Sequence, residues 1–450
     1  MIKRPLYLSF QLFSIIKQFI SRRFTTAGLM VLGGLVATAV VGFDTKQSMA
    51  YQAFTLLLSI LVFSLVWGFF FRARFTVQRK LPKFGTVGEP LTYRIKVGNM
   101  TSKKQEGLTL MENPEDTIPT FEEFMHTTEP DEETRNPFDK AIGYHRWMWL
   151  LLKKQVTNIE EQAIPTLPPY GEGEILCKTA PAQRGYLRLT GTTIASPDPF
   201  NIFKSFITIP NHQSIVVLPK RYPLPDISIP GTRRYQPGGV TMASSVGDSE
   251  EFLSLRDYVP GDPLRRIHWK SWAKIGKPIV KEYQDEFFVR HALILDTFLM
   301  AEYSEIFEEA VSVAASFICS IQTHESLLDL MFVGAETYCF TLGRGLATVD
   351  RMLEILATVR LCRDKPFSAL FHSVIERASL LSGTICIFLT WDEERKNLIG
   401  LLKSLRVPVL VLIISDRKAP SQLDPGPMKG DPKNFHILQA GKIKEGLAQL

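Results

Sequence analysis

Two uncharged apolar runs near the start of the chain contrast with a mixed remainder. They cover residues 27–43 and 51–71 and are joined by residues 44–50. A helix needs about 20 apolar residues to cross the roughly 30 Å hydrocarbon core of a bilayer. The pattern therefore predicts a membrane anchor, residues 1–71, that contains two transmembrane helices.

Lysine and arginine are concentrated on one side of these two runs. Basic side chains occur in residues 17–23 and again in residues 72–83, whereas the connecting segment holds only Lys46, beside Asp44. Basic residues favour the cytoplasmic side of a membrane. The chain is thus predicted to be a multi-pass protein of the cell membrane with both termini in the cytoplasm. A signal peptide, with a cleavage-like site at residues 37–39, is the alternative.

Two further segments have an amphipathic pattern of residues. Residues 5–24 intersperse apolar side chains with basic ones, which suits either a helix along the membrane interface or a poorly ordered basic leader. Residues 143–155 combine two tryptophans and a leucine run with two lysines. That second segment either dips into the lipid headgroups or forms a buried element of the next domain. We favour the buried element, because so short a run binds membrane weakly.

Short alternating segments between turn signals fill residues 72–219. Leu91–Asn99 alternates apolar and polar residues, as a half-buried strand does. Several such strands, broken by glycine and proline, predict an antiparallel β-sandwich. An insertion near residues 112–161, which contains an acidic run, interrupts it. Residues 220–248 are rich in proline and glycine and are predicted to be a linker.

The pattern of apolar and polar residues changes again in residues 249–450. Nearly continuous apolar segments at residues 292–298, 326–333, 384–392 and 408–416 alternate with helical patterns. Strands that are covered on both faces have such a composition. The order predicts a doubly wound α/β domain with a mainly parallel sheet.

A charged and aromatic stretch, residues 249–286, opens this domain. Its candidate functional residues are Arg256, Tyr258, Asp262, Arg265, Arg266, Trp269 and Lys270. Pro260 and Gly261 predict a type II turn, and Asp262 is predicted to cap a short helix. The charges and aromatics either brace the fold internally or form a docking surface, since Arg, Trp and Tyr dominate interface hot spots. We favour the brace, and the two roles are not exclusive.

This stretch resembles the signature of a bacterial membrane-protein family catalogued as domain of unknown function fifty-eight. The matching residues are Phe252, Leu255, Arg256, Tyr258, Pro260, Gly261, Asp262, Arg265, Arg266, Ile267, Trp269 and Lys270. Residues 184–186 and 198–200 also match family motifs, whereas His268 and Asn201 depart from the residues usual there. The resemblance implies a von Willebrand factor A-like domain and an association with a MoxR-type AAA+ ATPase. It implies no known reaction.

The aspartates that follow the predicted strands are weak candidates for a metal site. Asp296 and Asp392 stand where ligands of such sheets bind. Domains of the von Willebrand factor A type often hold Mg²⁺ with an Asp-x-Ser-x-Ser motif, because a hard cation needs oxygen ligands. Phe298 and Met300 occupy the hydroxyl positions here. We therefore expect no metal and no cofactor.

Catalytic motifs, cysteine spacing and net charge further limit the classes of function that the sequence allows. The sequence has no phosphate-binding loop, nucleophile elbow or zinc-protease motif. Its five cysteines are widely spaced, which is typical of free thiols in a reducing compartment. The net charge of +6 comes mostly from the residues beside the apolar runs, and it favours anionic lipid over nucleic acid as a partner.

The sequence thus predicts a non-enzymatic, membrane-anchored adaptor or scaffold that works with a MoxR-type ATPase. The alternative is a divalent-metal-dependent enzyme or binding module that uses the strand-end aspartates. A third possibility is a purely structural membrane scaffold. The client protein, the pathway and the oligomeric state are open at this point.

Overall fold

A computed structural model describes most of the chain in two compact units, Met1–Leu218 and Pro219–Leu450. The described residues are 3–41, 48–115, 118–129, 132, 135–154, 157–225, 234–235, 252–262, 264, 267–283, 287–299, 304–321, 326–343, 348–416 and 423–450. The mixed α/β class predicted from the sequence is confirmed.

The first unit begins with three helices, α1 (Lys3–Arg23), α2 (Thr26–Val41) and α3 (Ser48–Phe69). Within the described residues, one helix is both long and apolar enough to cross a membrane, at Met49–Phe69 in α3. The first predicted span corresponds to α2, which is apolar but has only 16 residues, and its predicted end at residues 42–43 lies outside the described residues. One candidate spanning helix is therefore present.

A β-sandwich follows the helices. Its strands are β1 (Phe75–Lys80), β2 (Phe84–Thr86), β3 (Leu91–Asn99), β4 (Thr109–Pro114), β5 (Thr157–Ile159), β6 (Gln162–Ala163), β7 (Glu172–Pro181), β8 (Gly185–Pro197) and β9 (Lys204–Leu218). They form a four-stranded sheet, in the order β1-β3-β7-β5, and a five-stranded sheet, in the order β2-β9-β8-β4-β6. The pairing is antiparallel except between β2 and β9, which run parallel and thus depart from the predicted pattern.

Alternation along the strands builds the core of the sandwich. On β3, Tyr93, Ile95 and Val97 are buried, and they share one hydrophobic cluster with residues of the other sheet such as Leu187 and Ile215. A buried ion pair also joins the sheets, because Arg79 of β1 donates to the Glu112 carboxylate of β4. A buried charge is costly unless it is paired, so this contact fixes how the sheets face each other.

Helices α4 (Phe121–His126), α5 (Pro137–Ile142) and α6 (Tyr144–Lys154) form the insertion between β4 and β5. Thr120 and Glu123 make a reciprocal capping box at the start of α4, which satisfies backbone N–H groups there. Trp147 of α6 is buried against Phe124, and Tyr7 of α1 packs on both rings. Within residues 143–155, the part around Trp147 is therefore a buried element, as favoured from the sequence.

Residues 198–206, which we call the anchor loop, comprise the turn between β8 and β9 together with the first residues of β9, and they contact the bases of the apolar helices. The backbone N–H of Thr25 donates to the Ile202 carbonyl at 3.2 Å. A Cβ atom at Gly28 would lie 2.2 Å from that carbonyl oxygen, and one at Gly68 would lie 2.7 Å from Ser205 Oγ. Both helices therefore approach the loop closely, and the backbone contact at Gly28 leaves no room for a side chain there.

Short elements open the second unit: β10 (Arg234–Tyr235), β11 (Phe252–Asp257), α7 (Trp269–Ile275) and β12 (Ile279–Tyr283). Strands β11 and β12 form a separate two-stranded antiparallel sheet. Much of the predicted linker, residues 226–233 and 236–248, lies outside the described residues. Within its described part, β10 pairs with the first strand of the large sheet.

The large sheet consists of β10 together with β13 (Phe287–Leu295), β14 (Ser326–Val333), β15 (Thr337–Leu342), β16 (Gly383–Phe388), β17 (Val409–Ser415) and β18 (Phe435–Gln439). Its main order is β15-β14-β13-β16-β17-β18. Neighbours along this order are parallel, except that β15 returns antiparallel beside β14. The order places the carboxyl ends of β13 and β16 side by side.

Helices cover the large sheet on both faces. They are α8 (Glu305–Ser320), α9 (Val349–Thr358), α10 (Ser368–Arg377), α11 (Glu393–Ser404) and α12 (Ile443–Leu447). Successive residues of β13 face opposite sides. Ile294 joins a cluster with Leu370 of α10 and Leu398 of α11, and Leu293 and Leu295 are equally buried. Burial on both faces explains the nearly continuous apolar strands of the sequence.

Candidate functional site

The charged and aromatic stretch folds as a small module of β11, a turn, α7 and β12. The N–H of Asp262 donates to the Val259 carbonyl at 3.1 Å, and Gly261 between them has φ of 113°. A positive φ at that position is what a type II turn requires of its glycine. The turn predicted from Pro260 and Gly261 is therefore present.

The helix cap predicted for Asp262 falls largely on Pro263, Arg265 and Arg266, which lie outside the described residues. Leu264 lies in a 3₁₀ turn, and helix α7 begins at Trp269, with His268 at its N-cap position. The Asp262 carboxylate accepts two hydrogen bonds from Arg256, at 2.7 and 2.8 Å, and one from the Val259 N–H at 2.9 Å. These bonds hold both ends of the turn, so the carboxylate orders the turn.

The Arg256–Asp262 pair lies at the surface of the module. The two side chains are 40% and 16% exposed. Two parallel N–H···O bonds give such a pair a fixed geometry. The pair is thus a local clamp of the turn.

A small apolar core lies beneath the turn. Ile267 bridges Val280 in the backbone, and both side chains are buried together with Ile279. Tyr258 is half-buried, and its N–H donates to the Pro278 carbonyl at 3.0 Å. These contacts tie the turn to β12.

Large apolar side chains of the same module face outward. Trp269 is 64% exposed and stacks on Trp272 at a centroid distance of 5.1 Å. Val259, Leu264 and Ile275 are also exposed. We call Val259, Leu264, Trp269 and Ile275 the apolar patch. Lys270 is exposed beside it, whereas Arg265 and Arg266 lie outside the described residues.

The strand-end aspartates form a second constellation. Asp296 follows β13 and is completely buried. Its carboxylate accepts hydrogen bonds from the N–H groups of Phe298, at 3.0 Å, and Leu389, at 3.3 Å. Arg395 of α11 adds a fork, with Nε 3.1 Å from one carboxylate oxygen and Nη2 3.2 Å from the other. Both oxygens of Asp296 are thus occupied by groups of the chain itself.

Asp392 belongs to the same cluster. Its carboxylate caps α11 by accepting from the Arg395 N–H at 3.1 Å, and it pairs with Arg395 Nη1 at 2.5 Å. The Arg395 guanidinium also lies 4.2 Å from the centroid of the Phe367 ring. Burial raises the pKa of the Asp296 carboxyl, and the charge of Arg395 opposes that rise. Arg395 therefore provides the positive charge at this sheet edge.

The residues around Asp296 do not suit a divalent cation. Phe298 stands at the first position where a hydroxyl ligand is needed, and its ring packs on Phe367 at 5.6 Å. Met300, at the second, lies outside the described residues. Thr297 Oγ1 donates to the Val333 carbonyl at 2.5 Å instead of pointing to Asp296. Among the described residues, no group of three or more His, Cys, Asp or Glu side chains is placed to hold a metal.

Sequence reasoning missed Arg395. It lies in the first turn of α11, three residues after Asp392, and no motif marks it. The available signal was weak: a single basic residue on an otherwise buried helix face, opposite a strand-end aspartate. The unusual backbone conformation at Asn201 had a clearer signal in the sequence. This residue replaces the glycine usual in the family, and it adopts φ of 53°. Asparagine is among the few residues that tolerate this left-handed conformation.

Comparison with known proteins finds a family match that covers most of the module and part of the large sheet. Residues 254–377 match a family described as protein of unknown function DUF58. The resemblance inferred from residues 252–270 is thus confirmed for this part of the chain. The uncharacterized protein YeaD of Bacillus subtilis (strain 168) is 30% identical over 137 residues, which are 30% of this chain and 33% of YeaD. The match spans about a third of that relative's length.

Solved structures of a CARDB domain from Pyrococcus furiosus are also similar to part of the chain. One is a solution structure that covers 32% of this chain and 94% of its own, with 13% identity and a TM-score of 0.17. The other is a crystal structure in complex with di-metal ions, which covers 32% of this chain and 93% of its own, with 13% identity and a TM-score of 0.18.

Proposed function

We propose that this protein is a non-enzymatic adaptor, anchored in the cell membrane, whose α/β unit binds a MoxR-type AAA+ ATPase through the apolar patch. The exposure of Trp269 is the observation that carries the proposal. A tryptophan that is 64% exposed and stacked on Trp272 is a preformed anchor of the kind that dominates interface hot spots. The identity of the partner rests on the family resemblance.

The geometry of the module supports a docking role. The Arg256–Asp262 pair and the backbone bonds to β12 fix the turn without using the apolar side chains. Four large apolar side chains exposed on one small module are more than the scattered single ones usual on a soluble domain. The Arg256–Asp262 pair thus braces the module, and the apolar patch is left for docking.

The α/β unit supports a von Willebrand factor A-like assignment. When its strands after β12 are numbered in chain order, the sheet reads 3-2-1-4-5-6, with the third strand antiparallel. Ligand sites of such sheets lie at the carboxyl ends of the strands. Here Arg395 occupies both oxygens of Asp296, which favours the adaptor over the alternative, a metal-dependent enzyme or binding module that uses the strand-end aspartates.

The anchoring is supported by α3 and its surroundings. Met49–Phe69 is of spanning length, and α2 packs beside α3, since a Cβ atom at Gly34 of α2 would lie 3.3 Å from Leu57 Cδ1 of α3. The basic residues on either side of the two helices favour cytoplasmic termini and a multi-pass topology. Retention in the membrane pellet after an alkaline carbonate wash is the expected result, and release into the supernatant would contradict anchoring.

Binding is tested with the full-length protein in detergent and a purified MoxR-type ATPase. We expect Trp269→Ala to weaken association by about 2 kcal/mol, roughly thirtyfold, as truncation of a hot-spot residue does. Leu405→Ala is the control, because Leu405 is an exposed apolar residue of the same unit, outside the patch. Equal affinities of the two variants, with unchanged melting temperatures, would rule out the patch as the docking surface.

A further inference from the structure

Helix α1 packs against the insertion with one of its faces. The Tyr7 hydroxyl donates to the Pro119 carbonyl at 3.0 Å, and Trp147 Nε1 donates to Ser14 Oγ at 3.0 Å. Phe10 lies between these contacts, with its ring 6.2 Å from Phe124. The helix is therefore docked on the protein and is not a loose leader.

The other face of α1 is also apolar, and it is exposed. Five large side chains, each between 46% and 59% exposed, lie on it: Leu8, Leu12, Ile15, Ile16 and Phe19. Their spacing places them on one stripe of an α-helix. At about 100° per residue, the stripe lies roughly 150° around the helix from the face that carries Tyr7, Phe10 and Ser14. We call these five residues the α1 stripe.

The position of the stripe indicates what covers it. Helix α1 ends at Arg23, and the apolar helix α2 begins at Thr26. The anchor loop contacts this junction through Thr25 and also meets the end of the candidate spanning helix at Gly68. The stripe thus starts where both apolar helices leave the sandwich, which is the level of the membrane surface if they are inserted.

Charge and aromatic residues near the junction favour the same surroundings. The Arg23 guanidinium lies 5.1 Å from the centroid of the Phe19 ring, at the end of the stripe. Lys17 is exposed on the side of α1 away from the stripe. An exposed apolar stripe with a basic residue at its end is typical of a helix at the lipid headgroup boundary.

We infer that α1 is an in-plane membrane helix whose stripe is buried in the interfacial layer of the lipid bilayer. The occupant of the stripe is therefore phospholipid, and neither a second copy of the chain nor another protein. The inference rests on the proposed membrane anchoring and adds a lipid-binding surface to it. Through Tyr7 and Trp147, the helix would hold the insertion next to the bilayer.

The test places a nitroxide label on the stripe of the full-length protein. Leu12→Cys is combined with Cys319→Ser, because Cys319 is exposed and would compete for the label. The protein is reconstituted into vesicles of phosphatidylcholine and phosphatidylglycerol. Collisions of the label with oxygen, which is enriched in lipid, and with a water-soluble nickel chelate are then measured. Lys17→Cys in the same background is the matched control, since it lies on the same helix outside the stripe.

We expect the label at position 12 to collide at least several-fold more with oxygen than with the nickel chelate, and the label at position 17 to show the reverse. A position 12 label that is as accessible to nickel as the control would overturn the inference. Low accessibility to both reagents would also overturn it, because protein rather than lipid would then cover the stripe. Failure of the anchoring itself is distinguishable, since only then does the carbonate wash release the protein.

Discussion

Arg395 Nε lies 3.1 Å from Oδ2 of Asp296, and its Nη2 lies 3.2 Å from Oδ1. The guanidinium thus occupies both oxygens of a carboxylate that was a candidate metal ligand in the sequence. Both side chains are buried, with exposed side-chain fractions of 6% and 0%. A positive side chain from α11 therefore performs, at the end of β13, the charge compensation that a metal ion would otherwise provide.

Removal of Arg395 should strongly destabilise the α/β unit. In Arg395→Ala the Asp296 carboxyl loses its counter-charge while it stays buried, and breaking a buried pair in this way costs about 3–5 kcal/mol. The control is Lys396→Ala, whose partner Glu393 is well exposed, so its loss should cost at most about 1 kcal/mol. Hydrogen exchange of β13 and β16 in the full chain is the measurement. Equal protection in the two variants would contradict the role of the pair.

Magnesium should not stabilise the wild-type protein. A ligand that binds only the folded state raises stability by mass action, so a bound ion must shift the unfolding transition. We expect no shift with saturating Mg²⁺, because Arg395 and two backbone N–H groups occupy the Asp296 oxygens. Thermal unfolding with and without Mg²⁺, with K⁺ at matched ionic strength as the control, is the check. A clear Mg²⁺-specific rise would restore the metal site as a candidate.

The clamp of the turn can be separated from the apolar patch. Asp262→Ala removes the partner of Arg256 and of the Val259 N–H, and loss of such a partly exposed pair should cost about 1 kcal/mol. We expect the loop of residues 257–262 to exchange faster, with little change in the large sheet. Arg256→Lys tests the geometry, since lysine keeps the charge but loses the fork. Unaltered exchange in Asp262→Ala would show that the carboxylate does not order the turn.

Acid should destabilise the α/β unit through His291. This residue of β13 is buried, and burial lowers the pKa of its imidazole below the ordinary value, although a hydrogen bond with the Gly383 backbone opposes the shift. The unfolded chain therefore takes up a proton at a higher pH than the folded chain does. The contribution of His291 is fully present above a pH of about 6.5 and is lost as the pH falls through the lowered pKa.

Substitution of His291 should remove this part of the pH dependence. We expect the denaturation midpoint of His291→Gln to change less between pH 7.5 and 5, as chosen assay limits, than that of the wild type. His372→Gln, at an exposed histidine of α10, should behave like the wild type. Parallel pH profiles for all three proteins would show that another group governs the acid response.

The pattern of apolar and polar residues predicted many of the strands and helices. It did not predict contacts between side chains that are far apart in the sequence. The alternation in Leu91–Asn99 and the apolar segments after residue 290 follow directly from which faces are buried, so strands could be placed from the sequence. The Arg395–Asp296 fork joins residues that are 99 positions apart, and no periodic signal links them. Asp262 shows a local version of this limit, since the sequence pattern did not indicate that its partner is Arg256.

The amphipathic start of the chain shows a different limit. Its composition indicated a membrane-surface helix or an unordered leader, because both have the same mixture of apolar and basic residues. Only the packing of Tyr7 and Trp147 reveals that one apolar face of α1 is docked on the insertion, whereas a second apolar face is exposed. A hydrophobicity pattern averages over both faces and cannot assign either to a partner.

The anchor loop has a mechanical consequence. Because Gly28 and Gly68 bring two helices against residues 198–206, the sandwich is clamped to the base of the helices and does not hang from a slack tether. Force applied to the sandwich would load these contacts and pass directly into the apolar helices. If the apolar helices are inserted in a membrane as proposed, a partner that pulls on the sandwich would act on the bilayer through this joint.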